Sequence, residues 1–249
     1  MSGIHLDHPG KELLLMGNEA IARGALEAGV YVATAYPGTP SSEIITRLAE
    51  VSREMDLYVE WSVNEKVALE VAAAASLAGL RAITAMKQNG LNVASDFLFN
   101  LNLMGTQGGI VLVTCDDASA HSSTNEQDSR AFSKMADLPL LEPAFFQEAK
   151  KMTRWAFSLS EEIGNVCMMR SVTRISHARG NVTLDRLPPR QARPAFDKQR
   201  QRVTHPVLQH HKKLHDHLDL LRDIFDRSEF NQYVGPGAVS YTHLTLPTN

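Results

Sequence analysis

Residues 11–174 alternate between two hydrophobic patterns, one typical of helices and one typical of strands. Apolar positions three and four apart predict amphipathic helices, whereas short apolar runs bounded by turn residues predict buried strands. The helices are predicted at 19–28, 41–55, 65–78, 91–104, 126–135 and 145–163. The strands are predicted at 31–36, 57–63, 81–86, 109–115, 138–141 and 165–172. Helices and strands therefore follow one another along most of the chain.

Strands separated by helices are typical of a parallel sheet that is covered by helices on both faces. Residues 109–115 read Gly-Ile-Val-Leu-Val-Thr-Cys, an apolar run expected of a strand buried on both faces. The predicted fold is therefore α/β, a doubly wound parallel sheet, and we assign it to residues 11–180.

The pattern changes after Arg174. Residues 176–206 are rich in Arg, Gln and Pro, which predicts an extended linker, and residues 206–225 return to helical spacing. We interpret residues 181–234 as a linker and a helix that lead to a further domain. Residues 235–249 continue no earlier pattern, and we interpret them as a non-native tail on an N-terminal fragment of a longer protein.

Charge and cysteine content exclude several classes of function. The net charge is −3 with 21% charged residues, so nothing in the composition favours binding to nucleic acid or to an anionic membrane. The two cysteines, Cys115 and Cys167, lie in apolar runs and predict neither disulfides nor an iron–sulfur or zinc site. With no apolar run that could span a bilayer and no signal-peptide pattern, the expected location is the cytoplasm.

Polar residues, glycines and prolines are concentrated where the predicted strands end. In open α/β sheets, ligands bind at this carboxyl edge. The first such loop surrounds Thr39 with Pro37, Gly38 and Pro40, which rigidify it and allow a close approach. We interpret it as a binding loop; the alternative is an ordinary turn in which Ser41 or Ser42 caps the next helix. The other three loops lie at 62–66, 87–92 and 116–128.

Glu65 is the sharpest candidate in these loops, and its local sequence favours a structural role. Ser62-x-x-Glu65 fits a capping box, in which the glutamate bonds back to the helix start. A Ser/His/Asp triad from Ser122, His121 and Asp116 is disfavoured, since no Gly-x-Ser-x-Gly elbow is present. His211 and His215 have metal-ligand spacing, but a polar helix face is the favoured interpretation, and no metal site is predicted.

Several segments together resemble the 2-oxoacid:ferredoxin oxidoreductase family. Residues 17–25 read Gly-Asn-Glu-Ala-Ile-Ala-Arg-Gly-Ala, and residues 36–43 read Tyr-Pro-Gly-Thr-Pro-Ser-Ser-Glu. Residues 60–68 read Glu-Trp-Ser-Val-Asn-Glu-Lys-Val-Ala, and residues 90–94 read Gly-Leu-Asn-Val-Ala. Residues 121–130, His-Ser-Ser-Thr-Asn-Glu-Gln-Asp-Ser-Arg, are similar to the α subunits of the branch that acts on indolepyruvate.

The resemblance implies the pyrimidine-binding domain of a thiamine diphosphate enzyme. It implies that Glu65 is catalytic and hydrogen-bonds N1′ of the aminopyrimidine, and that its apolar surroundings, Val63 and Val67, favour the protonated carboxyl. The resemblance also assigns the other site residues. The cofactor would contact Pro37, Gly38 and Asn89, and the substrate would contact Thr39, His121 and Ser122.

The remaining machinery of that family is expected outside this chain. The diphosphate, Mg²⁺ and iron–sulfur clusters would be held by the missing part of the full-length protein, so this chain would supply only the pyrimidine half of the cofactor site. The expected partners are a 2-oxoacid, CoA, ferredoxin, a β subunit and a second copy. The expected reaction is oxidative decarboxylation of an arylpyruvate. Alternatives are the same chemistry on pyruvate, 2-oxoglutarate or a sulfonated 2-oxoacid, and a non-catalytic module of this fold.

Overall fold

The computed structural model describes residues 3–190, 193–197 and 207–231. The strands are β1 Glu12–Met16, β2 Val32–Ala35, β3 Tyr58–Trp61, β4 Ala82–Lys87, β5 Ile110–Asp116, β6 Leu140–Leu141, β7 Cys167–Val172 and β8 Arg179–Thr183. The helices are α1 Gly17–Glu27, α2 Ser42–Glu50, α3 Glu65–Leu77, α4 Gln88–Met104, α5 Arg130–Met135, α6 Phe146–Ile163, α7 Thr173–His177 and α8 Val207–Asp226. The predicted tail at 235–249 lies outside the described residues.

Six strands form one sheet in the order β3-β2-β4-β5-β7-β6. Every neighbouring pair in this sheet is parallel. The prediction of a doubly wound α/β fold is therefore confirmed, and each predicted strand corresponds to an observed one.

The strand order reverses at β2. The chain leaves β2 for the edge strand β3 and then crosses back over β2 to enter β4. The carboxyl ends of β2 and β4 therefore diverge into the crevice where ligands of such sheets bind. The loop after β2 and the start of α4 therefore border this crevice.

Two apolar cores cover the two faces of the sheet. Along β5, Val111, Val113 and Cys115 belong to the core shared with α1, α2 and α6. Ile110 and Leu112 point to the opposite core, shared with α3 and α4. This alternation follows from the two-residue period of a strand, and it explains why the run had to be apolar throughout.

A second, two-stranded sheet was missed by the sequence analysis. β8 pairs antiparallel with β1, from Glu12 opposite Thr183 to Met16 opposite Arg179. The boundary predicted at residue 180 therefore falls inside a strand, and part of the predicted linker is ordered structure. Only Val182 of β8 is buried, so the segment carries no apolar pattern; its pairing with distant residues defines it.

Buried charges fasten the segment after β8 to the helical layer. Lys150 of α6 lies 3.0 Å from Glu27 Oε2 and 2.8 Å from Asp185 Oδ2. Glu27 also accepts from Arg23 Nε at 2.7 Å and from the backbone N–H of Asp185 at 2.7 Å. The ordered domain therefore extends past residue 180, at least to this cluster.

The predicted C-terminal helix is present as α8. It buries Leu214 and Leu221, and Phe225 packs edge-on against Trp155 of α6, with ring centroids 5.9 Å apart. A lone amphipathic helix needs a surface on which to bury its apolar side. In this chain that surface is provided by the α/β domain.

Candidate functional site

Glu65 is the first residue of α3, directly after the loop that follows β3. Its side chain is buried, with 8% of the residue exposed. Among the described residues, no hydrogen-bond donor or cation lies against its carboxyl group. Its carboxyl oxygens are not among the fully buried, unpartnered side-chain atoms of the described residues, so the carboxyl group still reaches the surface of the site.

Gly90 of α4 makes room for this carboxyl group. A Cβ atom on Gly90 would lie 2.4 Å from Glu65 Cγ and 2.5 Å from Glu65 Oε1. Such a distance is far inside van der Waals contact, so no larger residue fits while Glu65 keeps this position. The two segments that the sequence placed in separate loops thus meet at a single close contact.

The capping box predicted for Ser62 and Glu65 is wrong. Asn64 is the N-cap of α3, and its Oδ1 accepts from the backbone N–H of Val67 at 2.9 Å. Ser62 Oγ instead donates to the Glu60 carboxylate at 2.7 Å. Asn64 therefore takes over the structural task, and the Glu65 side chain is not needed for it.

The surroundings of Glu65 differ from those expected in one respect. Val63, expected to be part of its apolar surroundings, is 79% exposed, and Val67 is half-buried. Within this chain, Val63 therefore forms no buried apolar wall. The tight contact with Gly90 provides the enclosure instead.

The loop after β2 is built around Gly38. Ser42 Oγ accepts from the Gly38 N–H at 2.8 Å, and Ser41 Oγ donates to the Gly38 carbonyl at 2.8 Å. Ser41 is the N-cap residue of α2, as the alternative interpretation expected, but its side chain makes no capping hydrogen bond. Pro37 and Thr39 are exposed, which leaves both available to a ligand.

Asn18 supports the loop after β2 from a position inside the neighbouring helix. It lies inside α1, fully buried, because the helix already begins at Gly17. Its Nδ2 donates to the Pro40 carbonyl at 2.8 Å and to Glu43 Oε2 at 2.8 Å. Only the tertiary structure brings Asn18 to residues 22 and 25 positions further along the chain, so local sequence carried no signal for this role.

The first turn of α4 forms the floor of the site. β4 runs into α4 without a loop, so Gln88 and Asn89 are helical residues and not loop residues as predicted. Asn89 Oδ1 is buried without a hydrogen-bond partner. A Cβ atom on Gly38 would lie 3.3 Å from Lys87 Cγ. Residues 87–90 therefore lie between the loop after β2 and Glu65.

The loop after β5 docks on the same turn. Its predicted helix, 126–135, begins only at Arg130, so residues 117–129 form a long connection. Gln127 Nε2 donates to the Gln88 carbonyl at 3.0 Å, and Asn92 Nδ2 donates to Gln127 Oε1 at 2.9 Å. His121 and Ser122 are exposed in this loop. None of the described hydrogen bonds joins His121 or Thr39 to Glu65.

Two buried aspartates at the end of β5 anchor the loop. Asp116 accepts from Arg170 Nε at 2.6 Å and from the N–H of Ser129 at 3.0 Å. Burial acts to raise the pKa of Asp117, but hydrogen bonds from the Ser122 N–H and the Thr173 hydroxyl outweigh it and lower this pKa to about 2. Because Asp116 contacts neither His121 nor Ser122 among the described residues, no Ser/His/Asp triad is formed there.

The two neighbouring histidines of α8 lie close together, but the described ranges give them no further metal ligand. The rings of His211 and His215 lie 4.4 Å apart, but residues 3–190, 193–197 and 207–231 contain no group of three or more His, Cys, Asp or Glu side chains arranged to hold a metal. In the same part of the chain, no helix combines the length and apolar character needed to cross a membrane.

Comparison with known sequences identifies the family. Residues 23–223 match the family described as pyruvate flavodoxin/ferredoxin oxidoreductase, thiamine diphosphate-binding. The chain belongs to this family. Among curated relatives, indolepyruvate oxidoreductase subunit IorA of Pyrococcus abyssi is 48% identical over 238 residues, covering 92% of this chain and 37% of the relative. The corresponding subunit of Archaeoglobus fulgidus is 48% identical over 234 residues, covering 90% and 37%.

A solved structure shares the fold. A 2-oxoglutarate:ferredoxin oxidoreductase from Magnetococcus marinus, with 2-oxoglutarate, coenzyme A and succinyl-CoA bound, superposes with a TM-score of 0.68 at 15% identity. The match covers 85% of this chain and 45% of that one. The chain spans about 37% of the length of the two curated relatives.

Proposed function

We propose that this chain is the pyrimidine-binding part of an oxidoreductase that converts an arylpyruvate, indolepyruvate first among them, into its acyl-CoA. Family membership and the names of the curated relatives support this class of reaction. The observation that carries the proposal is the unpartnered Glu65 carboxyl group, seated against Gly90.

The residues present fit a bound aminopyrimidine. Its ring nitrogens and amino group need one group that shares a proton and others that accept. Glu65 offers a carboxyl group without a partner among the described residues, and Asn89 offers a buried, unpartnered amide oxygen. Pro37 and Gly38 provide a rigid loop on the other side of residues 87–90. When bound, thiamine diphosphate supplies a carbon nucleophile and stabilises the negative charge that decarboxylation leaves.

Glu65 acts in this proposal by holding a proton. When the cofactor is bound, the Glu65 carboxyl group would share that proton with a ring nitrogen of the aminopyrimidine. The low exposure of Glu65 strengthens this contact, since water competes little for it. Thr39, His121 and Ser122 contact the 2-oxoacid, and all three are exposed on the loops that flank the cofactor residues.

The other parts of the reaction lie outside this chain. Mg²⁺, the diphosphate site, the iron–sulfur clusters and the contacts with CoA, ferredoxin and a β subunit belong to the remainder of the protein and its cytoplasmic assembly. The two cysteines support this division. Both Cys115 and Cys167 are buried, and burial raises the pKa of the Cys115 thiol to about 12 and that of Cys167 as well. Such thiols are poor cluster ligands.

A second candidate substrate is 2-oxoglutarate. A 2-oxoglutarate synthase subunit KorA of Methanothermobacter thermautotrophicus is 28% identical over 193 residues, well below the identity of the indolepyruvate relatives. Rates with indolepyruvate, phenylpyruvate, pyruvate and 2-oxoglutarate separate the candidates. We expect the aryl substrates to be preferred.

The proposal is tested by Glu65→Gln in the intact protein with its partner subunit. Glutamine keeps the size of the side chain but cannot hold the proton, so we expect the decarboxylation rate to fall by about a hundredfold or more. Glu70→Gln, on the same helix, serves as the matched control and should retain full activity. Undiminished turnover in the Glu65 variant would exclude the role proposed for this residue.

A further inference from the structure

The turn that precedes His121 has an unfavourable backbone. Ser119 and Ala120 have φ angles of 67° and 45°, in the left-handed region that favours glycine. Neither residue is glycine, and each such residue costs free energy that surrounding contacts must offset. Two consecutive residues of this kind directly before a proposed substrate contact call for a physical cause.

Asp117 provides that cause. Its backbone carbonyl accepts from the Ala120 N–H at 2.9 Å. Its carboxylate Oδ2 accepts from the Ser122 N–H at 2.7 Å and from Ser122 Oγ at 3.3 Å. The chain from 117 to 122 is therefore wrapped around the Asp117 side chain, and the bonds to Ser122 hold the turn closed.

The side chain and the backbone of Asp117 connect the turn to the rest of the carboxyl edge. Thr173 Oγ1, after β7, donates to Asp117 Oδ1 at 2.8 Å. The Asp117 N–H donates to Gln88 Oε1 at 3.1 Å, and Gln88 belongs to the turn of α4 that contains Gly90. Asp117 thus links the His121 loop to the surface against which Glu65 rests.

A purely structural role does not require a carboxylate at this position. Asp117 is 1% exposed, and within the described part of the chain its carboxylate is held by neutral donors without a paired cation. A buried anion of this kind is retained at a cost in desolvation. What it provides is several acceptor sites on one turn, and these hold the backbone that carries His121 and Ser122.

We propose that Asp117 is a positioning residue that fixes His121 and Ser122 and thereby determines which 2-oxoacids the enzyme accepts. The inference rests on the proposed function, since it assumes that these two residues contact the substrate. Asp117 itself does not contact the reacting atoms in this proposal.

The test uses the intact enzyme with Asp117→Asn. The amide keeps the shape of the side chain but offers one acceptor oxygen, so it cannot accept from both Ser122 and Thr173. We expect KM for the preferred arylpyruvate to rise about tenfold and kcat to change less than about threefold, as loss of a hydrogen bond to a buried charge predicts. The ratio of kcat/KM between indolepyruvate and pyruvate should shift by about the same factor.

A control and a rescue separate positioning from general damage. Asp128→Asn removes an exposed carboxylate in the same loop and should leave KM and the order of substrate preference unchanged. Adding Ala120→Gly to the Asp117 variant should bring KM most of the way back down, because glycine adopts the left-handed backbone without the cost borne by alanine. A defect that only lowers the amount of folded enzyme would reduce kcat for every substrate by the same factor.

Two outcomes would overturn the inference. One is an Asp117→Asn enzyme with an unchanged substrate ratio, whatever its stability. The other is unchanged amide hydrogen exchange at Ala120 and Ser122 in that variant, since both protons are expected to lose protection. An enzyme whose wild type oxidises no 2-oxoacid would defeat the proposed function first, and the exchange measurement would then show separately whether Asp117 holds the turn.

Discussion

Glu27 and Glu65 are buried carboxylates on two helices of one domain, but their surroundings are opposite. Glu27 lies between Arg23 and Lys150, at 2.7 Å and 3.0 Å, and its side chain is fully buried. Glu65 has no hydrogen-bond or ion-pair partner among the described residues, and its side chain lies against Gly90. Charges of opposite sign surround the first carboxylate. The second has no ion-pair partner among the described residues.

The difference separates a charge with a structural role from the one that we propose to be functional. Removing one member of a buried ionic cluster leaves the others without compensation, so such a cluster resists substitution. An enclosed carboxyl group without a partner gains from being neutralised or bound, so its removal should not weaken the fold.

Lys150→Ala should destabilise the chain by about 3–5 kcal/mol, because Glu27 and Asp185 would lose their shared buried cation. Denaturant unfolding measures the effect. Lys151→Ala, at the exposed neighbouring position, is the matched control and should change stability by less than about 0.5 kcal/mol. Similar losses for the two variants would show that the cluster is not the main support of this region.

Gly90→Ala should destabilise the chain by about 2–3 kcal/mol, even though alanine favours helices, since the new methyl group would overlap Glu65. The decisive control is the double variant with Glu65→Ala, which removes the group that the methyl would meet. The double variant should regain most of the loss, and purely additive effects would exclude the contact as the cause.

Acid should remove the stabilisation provided by Asp117. Hydrogen bonds hold its pKa at about 2 in the folded chain, below its ordinary value of 3.8. A lowered pKa stabilises the folded state above the unfolded value, so this contribution is complete at neutral pH. It should decline by up to about 2 kcal/mol as the pH falls from about 4 to about 2. The Asp117→Asn variant should show a flatter profile there; identical profiles would contradict this origin.

Asn64→Ala should have the smallest effect, a loss of about 1 kcal/mol, as expected for an N-cap. Ser62→Ala should cost less, because its hydroxyl bonds to Glu60 and not to the helix end. Thermal unfolding of the two variants compares them directly. A larger loss for the serine variant would restore the capping box that the structure replaces.

The sheet was predictable because its information is local. The apolar run of β5 and the small residues that end each strand reveal buried parallel strands without reference to distant partners. β8 was not predictable, since its one buried residue, Val182, is defined by pairing with β1 more than 160 residues earlier. Hydrophobic pattern records burial, whereas edge pairing depends on tertiary contacts.

In the site, too, local features could be predicted and tertiary contacts could not. Glu65 and the loop of Thr39 could be selected from their positions after strands. The sequence did not reveal that Asn64 would cap the helix, that Gly90 would receive the carboxyl group, or that Asn18 would support Pro40. These are contacts between segments that lie far apart along the chain or compete locally for one role. Their geometry shows which glutamate has charged partners and which has none among the described residues.

The unfolding free energy of Glu65→Gln tests the central claim most directly. If Glu65 is kept for a ligand, the amide should leave stability within about 0.5 kcal/mol of the unsubstituted chain, or raise it, because no contact among the described residues is lost. A loss of about 2 kcal/mol or more, comparable to that from breaking a buried charged contact, would show that this carboxyl group supports the fold and would contradict the account.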